Sequence, residues 1–128
     1  MTRSLPDRGA AAVEFALVVP VLLTLVLGII EFGRAYNIQT TLSNAARDGV
    51  RVMALQNDVD AAKSAATNAA TGLGIPASDV VVTPLNCAPE DSTPTATVTV
   101  TYQFEPLSGF LPLGDLTLTG TGSMRCNG

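Results

Sequence analysis

Apolar positions fall into three textures along the chain, and each texture dictates a different element. From Phe15 to Ile30 the sequence reads FALVVPVLLTLVLGII, in which 13 of 16 residues are apolar and only Pro20, Thr24 and Gly28 interrupt. Residues 10–30 together make a run of 21 residues. At about 1.5 Å per residue such a run crosses a hydrocarbon core about 30 Å thick. The pattern predicts one transmembrane helix. A core helix would oblige the 98 residues after Ile30 to enclose a cylinder that is apolar all round. A cleaved secretory signal, with Arg3 and Arg8 as its basic end and Gly33 and Ala35 before a cut at Tyr36, would sever a helical stripe that runs on past that point.

The stripe is the second texture. Phe32, Ala35, Tyr36, Leu42, Ala45, Ala46, Gly49, Val50 and Met53 recur at spacings of three and four, the period of one helix face. The spine helix is expected to run from Ala10 to the region of Gln56–Asp58, with Pro20 bending or loosening it and Arg47, Asp48 and Arg51 on its solvated side. Asp58 is placed to cap a second helix with Val59, Ala62, Ala66, Ala70 and Leu73 on a narrow apolar face, stopped by Gly72 or Gly74 and Pro76. Asp58 and Asp60 do not make a calcium loop, because Ala62 takes the next ligand position and neither the turn glycine nor the closing glutamate follows.

The third texture is β-like. Val80–Val82 form a short strand, and Ala96, Val98, Val100, Tyr102 and Phe104 alternate with Thr95, Thr97, Thr99, Thr101 and Gln103 at a period of two. Leu116, Leu118 and Met124 repeat the alternation on a last strand, with Gly120 and Gly122 where something packs closely. The fold class is α+β: a long N-terminal transmembrane spine helix, a short second helix and a small antiparallel β-sheet packed on the spine. Between the last two strands, the apolar segment Pro106–Leu113 either folds back to close the core or contacts another subunit or the outer leaflet.

Composition narrows the function classes. Seven Lys and Arg against eleven Asp and Glu give a net charge of −4 and leave no basic patch for nucleic acid. Histidine and tryptophan are absent, and no cofactor or metal is expected. The adjacent acids Glu90 and Asp91 read as a solvated loop rather than a catalytic pair. An anchored hydrolase would need a constellation around Glu90, Asp91, Glu105 or Asp115 in a deep pocket. Cys87 and Cys126 are the only cysteines. A disulfide between them would pin the C-terminus to the first β-link and requires an oxidising compartment; two unrelated buried thiols are the alternative.

One charge breaks the apolar run. Between Arg8 and Glu31, Glu14 is the single ionised side chain in 22 residues, and a carboxylate near a bilayer centre costs about 2.5–3.5 kcal/mol. It either snorkels to the cytoplasmic interface or has a cationic partner. Its setting, Arg8-Gly9-Ala10-Ala11-Ala12-Val13-Glu14-Phe15 followed at once by the apolar run, resembles the processing site of type IV prepilins, in particular of the Tad (Flp) branch. In that family a membrane aspartyl peptidase cuts after a glycine and a glutamate is the fifth mature residue. The resemblance implies a cut between Gly9 and Ala10, with Glu14 pairing with the new α-amino group of a neighbouring subunit, and Phe15 stands where a tyrosine often follows.

The segments IIEFGRA and NAARDGVR, and the tail TVTVTYQFEPLSGFLPLGDLTLTGTGSMRC, are similar to those of TadE-like proteins. A body this long is unlike the much shorter Tad major pilins. The resemblance therefore implies a minor pilin or pseudopilin: residues 1–9 a leader, 10–30 the transmembrane segment, 31–128 an extracytoplasmic domain. It would be held in the cytoplasmic membrane and then join or prime a pilus used in adhesion and biofilm formation. Implied partners are the membrane, the prepilin peptidase, the Tad/Flp major pilin and other minor pilins, and the inner-membrane assembly platform. Arg3 and Arg8 before the span and Arg34 and Arg47 after it give no orientation. The cysteines and the resemblance together put the body outside the cytoplasm. The rival is an uncleaved single-span protein whose outer body is a binding module.

Overall fold

The computed structural model describes residues 7–87, 95–107, 109 and 114–126. Helix α1, Asp7–Gln56, runs for 50 residues, about 75 Å, unbroken through Pro20. It begins three residues before the expected Ala10, so Gly9 and Ala10 lie within its first turns. Its two halves have different surroundings. Residues 7–30 project alone with nearly every side chain exposed, whereas Ile38, Leu42, Ala45, Ala46, Gly49, Val50, Met53 and Ala54 are buried under the rest of the chain.

The stripe departs from expectation at its lower end. Phe32 and Tyr36 are 74% and 69% exposed, and the inward positions are Glu31 and Ile38. Counting back from Leu42 in steps of four, three and four gives 38, 35 and 31, the helical period. The inward Tyr36 and Phe32 would have broken that period, and the apolar character of the rings had masked it.

Asn57 ends α1 in the left-handed conformation, φ 52°, with its amide donating to the Met53 carbonyl at 2.9 Å. The chain then reverses into α2, Val59–Ala69, whose N-cap is Asp58: its Oδ1 accepts the Ala61 amide at 3.0 Å. Ala62 and Ala66 face α1 at Gly49, where an added Cβ would meet the Ala62 carbonyl oxygen and Ala66 Cβ at 3.1 Å. The alanine face therefore lets two helix backbones approach closely. A 3-10 turn at Thr71–Leu73 and Gly74, at φ 61°, close the segment.

Strands β1 (Val80–Thr83), β2 (Thr95–Phe104) and β3 (Leu116–Arg125) form an antiparallel sheet in the order β1-β2-β3. Val80 pairs with Val100, Val98 with Gly122 and Val100 with Gly120. Val80, Val82, Ala96, Val98, Val100 and Phe104 point at the helices, and the threonines alternate onto the outer face. There Thr97 Oγ1 meets Ser123 Oγ at 3.1 Å across the strands.

Leu116 and Met124 occupy the helix-facing parity of β3 yet remain exposed. The helix backbone presses on the middle of the strand, at Gly120 and Gly122, and leaves the ends half covered. Cys87 and Cys126 are joined by a disulfide with their Cα atoms 5.5 Å apart, as the first of the two sequence readings required. Glu90, Asp91 and most of Pro106–Leu113 lie outside the described residues.

Candidate functional site

Gly9, Ala10, Glu14 and Phe15 all lie exposed on the projecting half of α1. A Cβ added at Gly9 would meet nothing within 4 Å, so packing in the monomer does not demand glycine there. A glycine within a helix costs about 1 kcal/mol relative to alanine. Glu14 makes no hydrogen bond or ion pair among the described residues, and its neighbours Val13 and Phe15 are apolar and exposed. It stands 17 residues below Glu31, about 26 Å along the axis. This is near the far end of the apolar run rather than at its middle.

Higher on the rod, Pro20, Val21, Thr24, Leu25, Gly28 and Ile29 line a shallow apolar trough on one side of the helix. Its only hydroxyl is satisfied internally: Thr24 Oγ1 donates to the Pro20 carbonyl at 2.7 Å. That bond removes the cost of presenting a hydroxyl to an apolar neighbour. The run reaches a mean hydropathy of 2.6 with none of that window buried. By length and composition this helix can cross a membrane.

The rod enters the body through a polar collar. Glu31 is only 5% exposed and pairs with Arg34, whose Nη1 lies 3.5 Å from Glu31 Oε2. The same Nη1 donates to the Glu105 carbonyl at 3.3 Å, and the guanidinium lies 5.0 Å from the centre of the Phe104 ring. Arg34 thus fastens the last turn of apolar helix to the end of β2 by a carboxylate, a carbonyl and a ring face. Five residues higher, Gln39 Nε2 donates to the Thr119 carbonyl at 2.8 Å and ties β3 to the same helix.

The opposite end of the body is held by Asn57. Its Oδ1 accepts the Cys87 amide at 2.6 Å, and its Nδ2 donates to Asn86 Oδ1 at 2.7 Å. The α1–α2 corner is therefore joined directly to the disulfide. Sequence reasoning missed both the collar and this junction. An Asn directly after a long helix was the available signal for the junction, since Asn tolerates the left-handed C′ position.

Among the described residues no group of three or more His, Cys, Asp or Glu side chains is arranged to hold a metal. Asp58 is engaged as a helix cap, and Glu105 and Asp115 are exposed where β2 ends and β3 approaches.

The features that distinguish this molecule are thus concentrated on α1. The family model described as TadE-like protein matches residues 9–51, about a third of the chain, beginning at Gly9 and including Glu14. No curated protein matches the chain, and no solved structure does. Over residues 9–51, which hold the projecting rod, the helical part of the collar and most of the buried stripe, the chain is similar to TadE-like proteins.

Proposed function

We propose that this chain is a TadE-like minor pilin, or pseudopilin, of a Tad/Flp type IV pilus system. It is anchored in the cytoplasmic membrane by residues 10–30 with its body outside the cytoplasm. The peptidase cuts between Gly9 and Ala10, and the mature helix then passes from lipid into a filament or assembly complex. The chain is the substrate of that cut and carries out no reaction itself.

One observation carries the reading. A helical stretch of 21 mostly apolar and almost wholly exposed residues, 10–30, leaves a body that has already closed its own core, and its single ionised group, Glu14, has no partner among the described residues. Such a surface is stable only against lipid or other helices. The family match beginning at Gly9 supports a Tad pilus-associated protein.

The physical mechanism follows from where the charge sits. In the membrane, Glu14 lies close enough to the inner end of the span for its carboxylate to reach the headgroups. In a helix bundle it loses that water, and an α-amino group freed at Ala10 of a neighbouring subunit supplies the compensating charge at the positive end of that helix. Van der Waals packing along the Thr24–Gly28 trough replaces lipid contacts.

The test is piliation of cells carrying Glu14→Ala as the only copy. The variant inserts in the membrane and its body folds, since Glu14 is exposed and makes no hydrogen bond or ion pair among the described residues, while pilus number falls. Normal pili with E14A would remove the assigned role. A chain recovered uncut from assembled pili would favour the rival, a single-span protein with an outer binding module.

A further inference from the structure

We propose that the β3 side of the body docks a second copy of this chain head to tail, with Glu105 and Asp115 of one copy against Arg47 and Arg51 of the other. The inference rests on the reading above, in which the mature helix leaves lipid for a filament or assembly complex.

Charges on this side are sorted by height. Gly120 lies against Leu42, and Gly122 against Ala46 and the Arg47 amide, so β3 climbs α1 at two strand residues to four helical ones. That ratio follows from rises of about 3.3 Å per strand residue and about 1.5 Å per helical residue. Arg47 therefore stands beside the upper part of β3, and Arg51 one helical turn above it. Carried down, the same ratio sets Asp115 level with about residue 32 of the helix. Glu105 lies near that height on separate grounds: its carbonyl is bonded to Arg34, and its neighbour Phe104 pairs with Leu116.

All four side chains are exposed, and none of them makes an ion pair among the described residues. Asp48, which directly follows Arg47, pairs with neither arginine. Between the two ends β3 reads LTLTGTGSM from Leu116 to Met124, without a charge, and an exposed Arg125 closes it at the basic end. One side of the body thus presents an acidic lower end, a neutral middle and a basic upper end.

Two copies anchored in one membrane stand at equal height. Acid then faces acid and arginine faces arginine, an arrangement that repels. Raising one copy by the distance between the two ends, about 16 helical residues or about 25 Å, sets its carboxylates on the arginines of the lower copy. The contact is heterologous, because each copy offers its acidic end to one neighbour and its basic end to another, so it propagates instead of closing into a pair. Exposed ion pairs add little affinity singly, but they select this stagger and reject the level one. The stagger becomes accessible only when a copy leaves the plane of its neighbours.

The test uses full-length tagged and untagged copies, together the only source of the chain in piliated cells. After chemical cross-linking, the untagged copy retained by the tagged one is measured. When both copies carry R47E and R51E, or both carry E105K and D115K, retention is expected to fall about fivefold below the wild type. When one copy carries the first pair and the other the second, glutamates again meet lysines and retention returns to within about twofold of the wild type. A fold lost through either pair of substitutions would stay lost in the mixture, so its recovery reports the contact. A mixture no better than the matched variants, matched variants retained as well as the wild type, or wild-type copies that do not retain each other overturns the inference while the chain still starts at Ala10. If the chain in these cells starts at Met1, the pilin reading falls and this inference with it.

Discussion

Gly120 lies so close to Leu42 that a Cβ placed on it would stand 2.3 Å from both the carbonyl carbon and the carbonyl oxygen of that residue. Neither obstacle is a side chain that can swing away; both belong to the backbone of a helix held from either side by α2 and the sheet. Gly120→Ala is therefore expected to push the strand off the spine, at a cost of about 3 kcal/mol, the upper end of the range for overpacking. Gly72→Ala is the matched control, because nothing lies within 4 Å of its new methyl. It should change stability by less than about 0.5 kcal/mol. Thermal unfolding of the two proteins in detergent, followed by circular dichroism, measures the difference; equal melting temperatures would mean that the helix does not sit on β3 as described.

Asn57 combines two functions that substitution can separate. Its backbone is left-handed, which favours Asn or Gly, and its side chain holds the half-buried Cys87 amide. Asn57→Gly keeps the backbone and leaves that amide to find another acceptor, so a loss of about 1 kcal/mol is expected. Asn57→Ala adds the strain of a Cβ at positive φ, for a loss of about 2–3 kcal/mol. The order N57G above N57A in melting temperature checks the assignment, and the reverse order would contradict it.

The disulfide closes a separation of 39 residues between the β1–β2 link and the end of β3. Loop-closure entropy for that length gives about 4 kcal/mol of stabilisation. The double variant Cys87→Ser, Cys126→Ser should lower the unfolding free energy obtained from urea titration by that order, with β3 exchanging its amide protons earliest because it loses its C-terminal tie. Unchanged exchange in β3 would show that Gln39 and the glycine contacts alone hold the strand.

Much of this architecture can be read from the residues, and the misreadings have physical causes. The threonine alternation in Thr95–Gln103 and the valines of β1 leave little choice of face, and the structure follows them. Asp58 as a cap and the alanine face of α2 were equally legible, because capping and close helix packing depend on local residue types. Tyr36 and Phe32 were misplaced because apolar residues near a membrane boundary need not face a protein core; lipid is also an apolar solvent. Glu31 was the true inward residue, and a carboxylate is assigned inward only once its partner Arg34 is seen against Phe104 and Glu105, which lie some 70 residues away in sequence. Long-range contacts of that kind leave no periodic trace. The two strand glycines signalled a close approach but not what approached.

The collar and the junction at Asn57 also explain how one helix can serve two environments. The body is clamped to residues 31–56 at both ends, by Arg34 below and by Asn57 with the disulfide above. A change of surroundings around the rod below Ile30, as the proposed function requires, therefore need not disturb the core.

The account turns on the N-terminus of the protein as it leaves the membrane. Intact-mass measurement with N-terminal sequencing of the chain isolated from pili or from the membrane of cells with an active prepilin peptidase tests it most directly. The account predicts a chain that starts at Ala10, with net charge shifted from −4 to −5 by loss of two arginines and one aspartate. A mature chain that still starts at Met1, in cells that build normal pili with it, would contradict the account, and a chain starting at Tyr36 would show that the rod is a discarded signal.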